Sequence, residues 1–272
     1  MESSAEFLAE IARHPRDLDA RLVYADWLEE QGDPRGEFIR TQCELAEPSD
    51  DLDRRELLDR RQEQLRGQHE RAWVDGLRDQ VMGWTFRCGF VESVEMTAEQ
   101  FLRHADAVFA ATPLRSLIVL EATSLLDRIV AHPRIAELEG FHVERSQLST
   151  SDTQALAAVP FVRLVSLRLS GCRLVDETFM PLLDLHVPTL RDADFSANRL
   201  RNHAFAAMAV SRAFLQVEEL NMMSNEIRQT GARQFALSRG FQNLKQLDVR
   251  RNPLGLAGVQ PLFERFGEAL RF

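Results

Sequence analysis

Four carboxylates, Asp26, Glu29, Glu30 and Asp33, form the densest acidic group of this 272-residue chain. Glu29 and Asp33 stand four apart, so on a helix they share a face, near enough to hold a hard cation or to act as a general acid/base pair. Arg21, Arg35 and Arg40 lie close by in sequence, and a solvated helix face paired with these arginines is the simpler account. The seven histidines, at positions 14, 69, 104, 132, 142, 186 and 203, include no two at metal-ligand spacing. Cys43, Cys88 and Cys172 are odd in number, far apart and never in a CxxC pair. They read as buried free thiols of a reducing compartment. GxxxxGK[ST], GxGxxG, GxSxG and HExxH motifs are all missing. This inventory implies no catalytic residue, no metal and no cofactor, and therefore a protein that is not an enzyme.

The aromatic candidates have structural readings. Tyr24 and Trp27, three apart, could form a binding platform, but such a pair more often plugs the core of a small helical domain or caps the first repeat. Trp73 and Trp84 flank a change in sequence texture near residue 80 and read as interdomain packing. Charge points the same way. The chain holds 33 basic and 42 acidic residues, a net of -9. Residues 1–80, with 21 acids and 12 bases, carry all of it. An acidic chain has no general attraction for phosphate backbones, which argues against nucleic acid. No apolar run approaches the roughly 18 residues of a membrane span, and the start MESSAEFLAEIARHP lacks the basic-then-apolar order of a signal peptide. The expectation is a soluble, cytoplasmic protein that does not engage a membrane.

The elements that would position a site emerge from internal repetition. LVSLRLSGCRL (164–174), LRDADFSANRL (190–200), VEELNMMSNEI (217–227) and LKQLDVRRNPL (244–254) share apolar residues at positions 1, 4 and 6 and Asn or Cys at position 9. Their first residues are separated by 26, 27 and 27 positions. Weaker copies, LEGFHVERSQL (138–148), LRSLIVLEA (114–122) and VESVEM (91–96), bring the total to about seven. Alternation at positions 4 and 6 predicts a short strand with one buried face. The amides of Asn198, Asn225 and Asn252 can satisfy the turn out of the strand, and Cys172 can do part of that task. Each unit then continues with helical spacing, and Gly231 and Gly258 near helix starts allow close approach. A strand plus a helix cannot bury its apolar face alone, so the units must stack.

This pattern resembles a leucine-rich repeat array, with the period and LxxLxLxxN/CxL core of the ribonuclease-inhibitor-like subclass. The resemblance implies an α/β fold, a right-handed solenoid with parallel strands on its concave face and helices on its convex face. Residues 1–80 differ in texture. Leu8, Ile11 and Ala12 mark one helix; Leu18, Leu22, Ala25 and Leu28 mark a second that Gly32 ends. Asp33-Pro34 opens a third with Phe38, Ile39, Gln42 and Leu45 inward, and residues 50–74 form a long polar fourth. Within them RLVYADWLEEQGDPRGEFIRTQCEL (21–45) closely resembles the bacterial repeat-companion domain, a small all-α domain that precedes repeat arrays. FRCGFVESVEM (86–96) is similar to the first repeat that follows it. The expected organisation is a helical companion domain at 1–80 and a leucine-rich repeat domain at 81–272. The resemblance implies an interaction role and no reaction.

Function is then expected where packing leaves residue identity free, at positions 3, 5 and 7 of each strand. The candidates are His142, Arg168, Asp192, Asp194, Glu219, Asn221, Met223, Asp248 and Arg250. Asp192, Asp194, Glu219 and Asp248 would make an acidic patch bordered by Arg168 and Arg250, suited to a protein partner presenting Arg or Lys. The leading expectation is a non-enzymatic protein-protein interaction module or scaffold. The alternative is an enzyme regulator, an inhibitor or a GTPase-activating protein, acting through the repeats; an activating protein would use Arg145, Arg251 or Asn225 at a strand exit.

Overall fold

The computed structural model describes residues 4–14 and 16–272 and divides into two compact units, residues 1–95 with 104–114, and residues 96–103 with 115–272. The first unit begins with helices α1 (Ser4–Arg13), α2 (Leu18–Glu30), α3 (Arg35–Ala46) and α4 (Leu52–Trp73). Asp17 and Asp51 accept from backbone N–H groups at the starts of α2 and α4, satisfying donors that have no helical partner. Gly32, at φ 72°, ends α2 in a left-handed conformation, with its own N–H and that of Asp33 returned to Glu29 and Leu28. Asp33 then caps the next turn, its carboxylate accepting from the Arg35 N–H at 2.8 Å. Gly36 sets the approach of α2 to α3, because a Cβ there would lie 2.6 Å from the Ala25 carbonyl.

This unit runs past residue 80. Strands β1 (Gly83–Arg87) and β2 (Phe90–Thr97) form an antiparallel hairpin. Its turn carries Cys88 and Phe90 into one core with Ile11, Tyr24, Ala25, Leu28, Ile39 and Cys43. The sequence boundary at 80 overlooked this because the hairpin's apolar residues resemble a repeat strand while their partners are helical. Tyr24 and Trp27 stack at 5.9 Å and meet Phe7, so the pair plugs this core. Trp73 packs on Phe38 and Phe86, and the Trp84 Nε1–H donates to Glu70 at 2.7 Å. Both tryptophans thus find partners across residue 80, within the first unit.

In the second unit, β3 (Ser116–Leu120), β4 (Gly140–Glu144), β5 (Ser166–Ser170), β6 (Asp192–Asp194), β7 (Glu219–Asn221), β8 (Gln246–Asp248) and β9 (Leu270–Arg271) pair in parallel, each with the next. The segments beginning at Leu164, Leu190, Val217 and Leu244 are adjacent rungs in the register the sequence implied. Positions 4 and 6, from Leu117 and Val119 to Leu247 and Val249, are all 1% exposed or less. Each of these side chains larger than that of Ala193 contributes about 1.5–3 kcal/mol by leaving water. Ala193 is the small residue of this row, and Phe195, two residues on, packs against Phe179 and Phe214 at ring distances of 5.0 and 5.7 Å. Between the strands run α5 (Ala98–Ala111), α6 (Leu126–Val130), α7 (Thr150–Ala157), α8 (Asp176–Phe179), α9 (Asn202–Met208), α10 (Gln229–Leu237) and α11 (Leu256–Phe266). Gly231 and Gly258 allow the approach expected of them: a Cβ would sit 2.7 Å from the Asn202 Cα and 2.9 Å from the Gln229 Cα. The unit is an α/β arrangement of parallel strands and helices, compatible with a repeat solenoid. Among the described residues no helix is long and apolar enough to cross a membrane.

Candidate functional site

Two features of each repeat fix the outward strand face. The first is a residue at position 8 with positive φ: Glu121, Arg145, Gly171, Ala197, Ser224 and Arg251, at 59, 50, 63, 55, 57 and 57°. Five of the six are not glycine, so each holds about 1–2 kcal/mol of backbone strain. The second feature is position 9, which the left-handed turn directs back under the rungs. The Asn198 Oδ1 accepts from the Cys172 and Leu174 N–H groups, both at 3.0 Å, while its Nδ2 donates to the Leu169, Phe195 and Ser196 carbonyls. Asn225 and Asn252 repeat the pattern one and two rungs on. In the earlier rungs the Cys172 Sγ donates to the Val143 carbonyl, and the Ser146 hydroxyl accepts from the Ala122 N–H and donates to the Glu144 carbonyl. These bonds satisfy buried backbone groups, since an unpaired one costs about 1–3 kcal/mol.

The residues of positions 3 and 5 line up across this frame. Gly140, Ser166, Asp192, Glu219 and Gln246 form one row, and His142, Arg168, Asp194, Asn221 and Asp248 the next. The expected site residues are therefore neighbours, but the acids among them are largely engaged with one another's surroundings. Asp192 accepts from Arg168 Nη2 at 2.6 Å, from its Nε at 3.0 Å and from the Ser166 hydroxyl at 2.7 Å. Asp194 accepts from Asn221 Nδ2 at 2.8 Å and from the Ser196 N–H at 2.7 Å. Asp248 is buried and receives Arg250 through both Nε and Nη2. Burial opposes its charge, but the hydrogen bonds and charge of Arg250 outweigh that and hold its pKa below the usual carboxylate range. The Met223 N–H is tied to the Asn221 side chain. Glu219 stands exposed.

An unbroken acidic patch is thus not what the strands present. Two of its four acids are neutralised by Arg168 and Arg250, which the sequence had placed at the border. The reason is register: an arginine at position 5 reaches the position 3 acid one strand away, and one at position 7 folds back on position 5 of its own strand. On Arg168 burial works against the charge, while Asp192, Asp194 and Glu219 overcome it and raise the pKa.

His142, Ser166 and Asp192 form a chain of hydrogen bonds, 3.0 Å from His142 Nε2 to Ser166 Oγ and 2.7 Å from Ser166 Oγ to Asp192. The serine is in the middle, donating to the carboxylate and accepting from the imidazole. A nucleophilic triad needs the histidine in the middle, taking the serine proton. Burial, reinforced by the charge of Arg168, lowers the His142 pKa to about 4, so the ring is neutral at pH 7.

Three of the four N-terminal carboxylates have partners. Arg40 bridges Asp26 and Glu29, and Asp33 caps α3. Arg21 does something the sequence did not suggest: it is 1% exposed, pairs with buried Glu92, and donates through Nη1 to the Arg87 and Cys88 carbonyls. The described residues contain no cluster of His, Cys, Asp or Glu able to hold a metal. Asn225, considered for a strand-exit role, is buried with its amide committed to the backbone. Sequence reasoning also missed a ladder at position 2, where Arg115 pairs with Glu139, and Glu218 with both Arg191 and Lys245. Its signal, opposite charges one repeat period apart, was present in the sequence.

No known family model matches the chain, and no curated protein matches it. Among solved structures it is similar to a chain of the yeast Rad7 and Elc1 complex, at 16% identity and a TM-score of 0.36. That match covers 66% of this chain and 55% of the other, so the chain spans about half the length of that neighbour.

Proposed function

We propose that this protein is a non-enzymatic interaction module or scaffold, a bacterial leucine-rich repeat protein with an N-terminal repeat-companion domain. The outward strand face, the concave face of a right-handed, ribonuclease-inhibitor-like solenoid, is where it takes a protein partner. The observation that supports this reading is the register: polar side chains stand in two straight rows, one from five successive strands and one from four of them, on a frame whose turns are pinned by the asparagine ladder. Such a preorganised surface loses little conformational entropy on binding. His142, Arg168, Asp192, Asp194, Glu219, Asn221, Met223, Asp248 and Arg250 make up the site. The negative charge left without an arginine partner rests on Asp194 and Glu219, so the partner is one that places an Arg or Lys there.

The test is capture of a stoichiometric protein partner from the native host by the full chain, repeated with Glu219→Arg. That substitution changes an exposed charge without touching a hydrogen bond that holds the fold. Arg233→Glu, exposed on α10, is the control. Loss of the partner with Glu219→Arg and retention with Arg233→Glu support the assignment. Retention in both variants removes the strand face from the proposal.

A further inference from the structure

Cys43 and Cys88, 45 residues apart in the sequence, come together in one buried core of the first unit. The β1–β2 turn is clamped onto α3 to bring this about. The Gly89 N–H donates to Gln42 Oε1 at 2.8 Å, and the Gly89 carbonyl accepts from Arg35 Nε and Nη2 at 3.4 and 3.3 Å. Gly89, at φ 83°, must lack a side chain, because a Cβ would fall 2.0 Å from Ile39 Cγ1 and 2.8 Å from its Cα. From the other side Arg21 holds the Cys88 carbonyl. Cys88 itself sits at φ 46°, a conformation that side-chain-bearing residues rarely adopt.

The two sulfurs are inequivalent. Both residues are 3% exposed, yet a solvent-open cavity of about 250 Å³ between α3, α4 and the turn is lined by Cys88 with Gln42, Arg55, Asp59 and Gln62, and not by Cys43. The neighbouring Cys43 thiol, with Arg21, lowers the Cys88 pKa against the effect of burial; Cys88 in turn, with burial, raises that of Cys43. Cys172 is the contrast: fully buried, bonded to the Val143 carbonyl, and pushed up to about 12 by burial.

We propose that Cys43 and Cys88 are a redox site, a dithiol that hydrogen peroxide converts to an intramolecular disulfide, with Cys88 meeting the oxidant and Cys43 resolving. The Cys88 thiolate attacks one peroxide oxygen, the O–O bond breaks, and the departing hydroxide takes up a proton as water. Cys88 is then a sulfenic acid, oxidised by two electrons. The Cys43 sulfur attacks the Cys88 sulfur, the S–S bond forms, and the hydroxyl leaves with the Cys43 proton as a second water. Two thiols and one peroxide give one disulfide and two waters. The closed bond would tie α3 to the hairpin covalently. Nothing in this assignment depends on the strand face or its partner.

The experiment treats the folded full chain with hydrogen peroxide, blocks the remaining thiols with iodoacetamide, and maps the peptides by mass spectrometry without reduction. The expected product is a peptide pair joined through Cys43 and Cys88, two hydrogens lighter than its parts and released by dithiothreitol, formed at least tenfold faster than any change at Cys172. In Cys43→Ser the link is absent and dimedone labels Cys88; in Cys88→Ser neither the link nor a dimedone adduct on Cys43 forms. The proposal is overturned if Cys43 and Cys88 of the wild type remain open to alkylation after peroxide. It is overturned equally if Cys43 in Cys88→Ser takes dimedone as readily as Cys88 does in Cys43→Ser. Should either serine variant fail to fold by circular dichroism, the wild-type peptide map alone decides.

Discussion

Replacing Asn198 by alanine tests the idea that the position 9 side chains hold the rungs together. The wild-type amide accepts two backbone N–H groups and donates to three carbonyls, and the residue is 7% exposed. Truncation leaves the Cys172 and Leu174 N–H groups in a space too enclosed for ready hydration. At about 1–3 kcal/mol for each orphaned donor, with a smaller loss at the carbonyls, the expected cost is about 4 kcal/mol. Asn252→Ala serves as the comparison. Its amide donates to the Arg250 carbonyl on the exposed side, where water can substitute, and the expected cost is about 1–2 kcal/mol. Asn198→Asp keeps the shape but turns a carboxylate oxygen toward three carbonyls. That environment raises the folded pKa of the new acid above its unfolded value of about 3.9, so this variant should lose stability as pH rises through 4 and above. Urea unfolding gives the free energies, and amide exchange at Cys172 and Leu174 locates the effect. A cost below about 1 kcal/mol for Asn198→Ala, with those two amides still protected, would refute the reasoning.

Three further outcomes follow from the packing and charges. Arg21→Met alone should cost about 3–5 kcal/mol by leaving Glu92 charged and buried, while Arg21→Met with Glu92→Met should recover much of that loss; additive costs in chemical denaturation would contradict a coupled buried pair. His142 binds a proton less readily folded than unfolded, so the stability its neutral form contributes is complete above pH 6.5 and is lost as pH falls toward 4, by about 1–3 kcal/mol; an imidazole titrating near 6.5 in a proton NMR pH series would exclude this. Gly231→Ala should destabilise by about 1–3 kcal/mol even though alanine is the better helix former by about 1 kcal/mol, because the new Cβ meets the Asn202 backbone; a raised melting temperature would show that α9 and α10 do not approach so closely.

The sequence by itself determined the rungs. Apolar residues at positions 4 and 6 can be buried only on one face of a short strand, and a strand-and-helix unit repeated every 26 or 27 residues can bury that face only against its neighbours. Asn198, Asn225 and Asn252 announced the turn for the same reason, since their amides can both donate and accept. The helices of residues 4–73 were legible from capping residues and apolar stripes. What tertiary structure alone decided is which charges cancel and which distant groups meet. Arg168 neutralises Asp192 because parallel pairing places position 5 beside position 3 of the next strand, a relation no local pattern encodes. Ala197 and Ser224 sit at positive φ where only Gly171 gave a composition signal, because the stacked rungs impose the turn at every position 8. Arg21 lies among acids in the sequence yet pairs with Glu92, and Cys43 meets Cys88, because the β1–β2 hairpin folds back onto α2 and α3. Local sequence fixes the period and the buried face; contacts between residues tens of positions apart depend on the path of the chain, and the chemistry of the thiol pair exists only there.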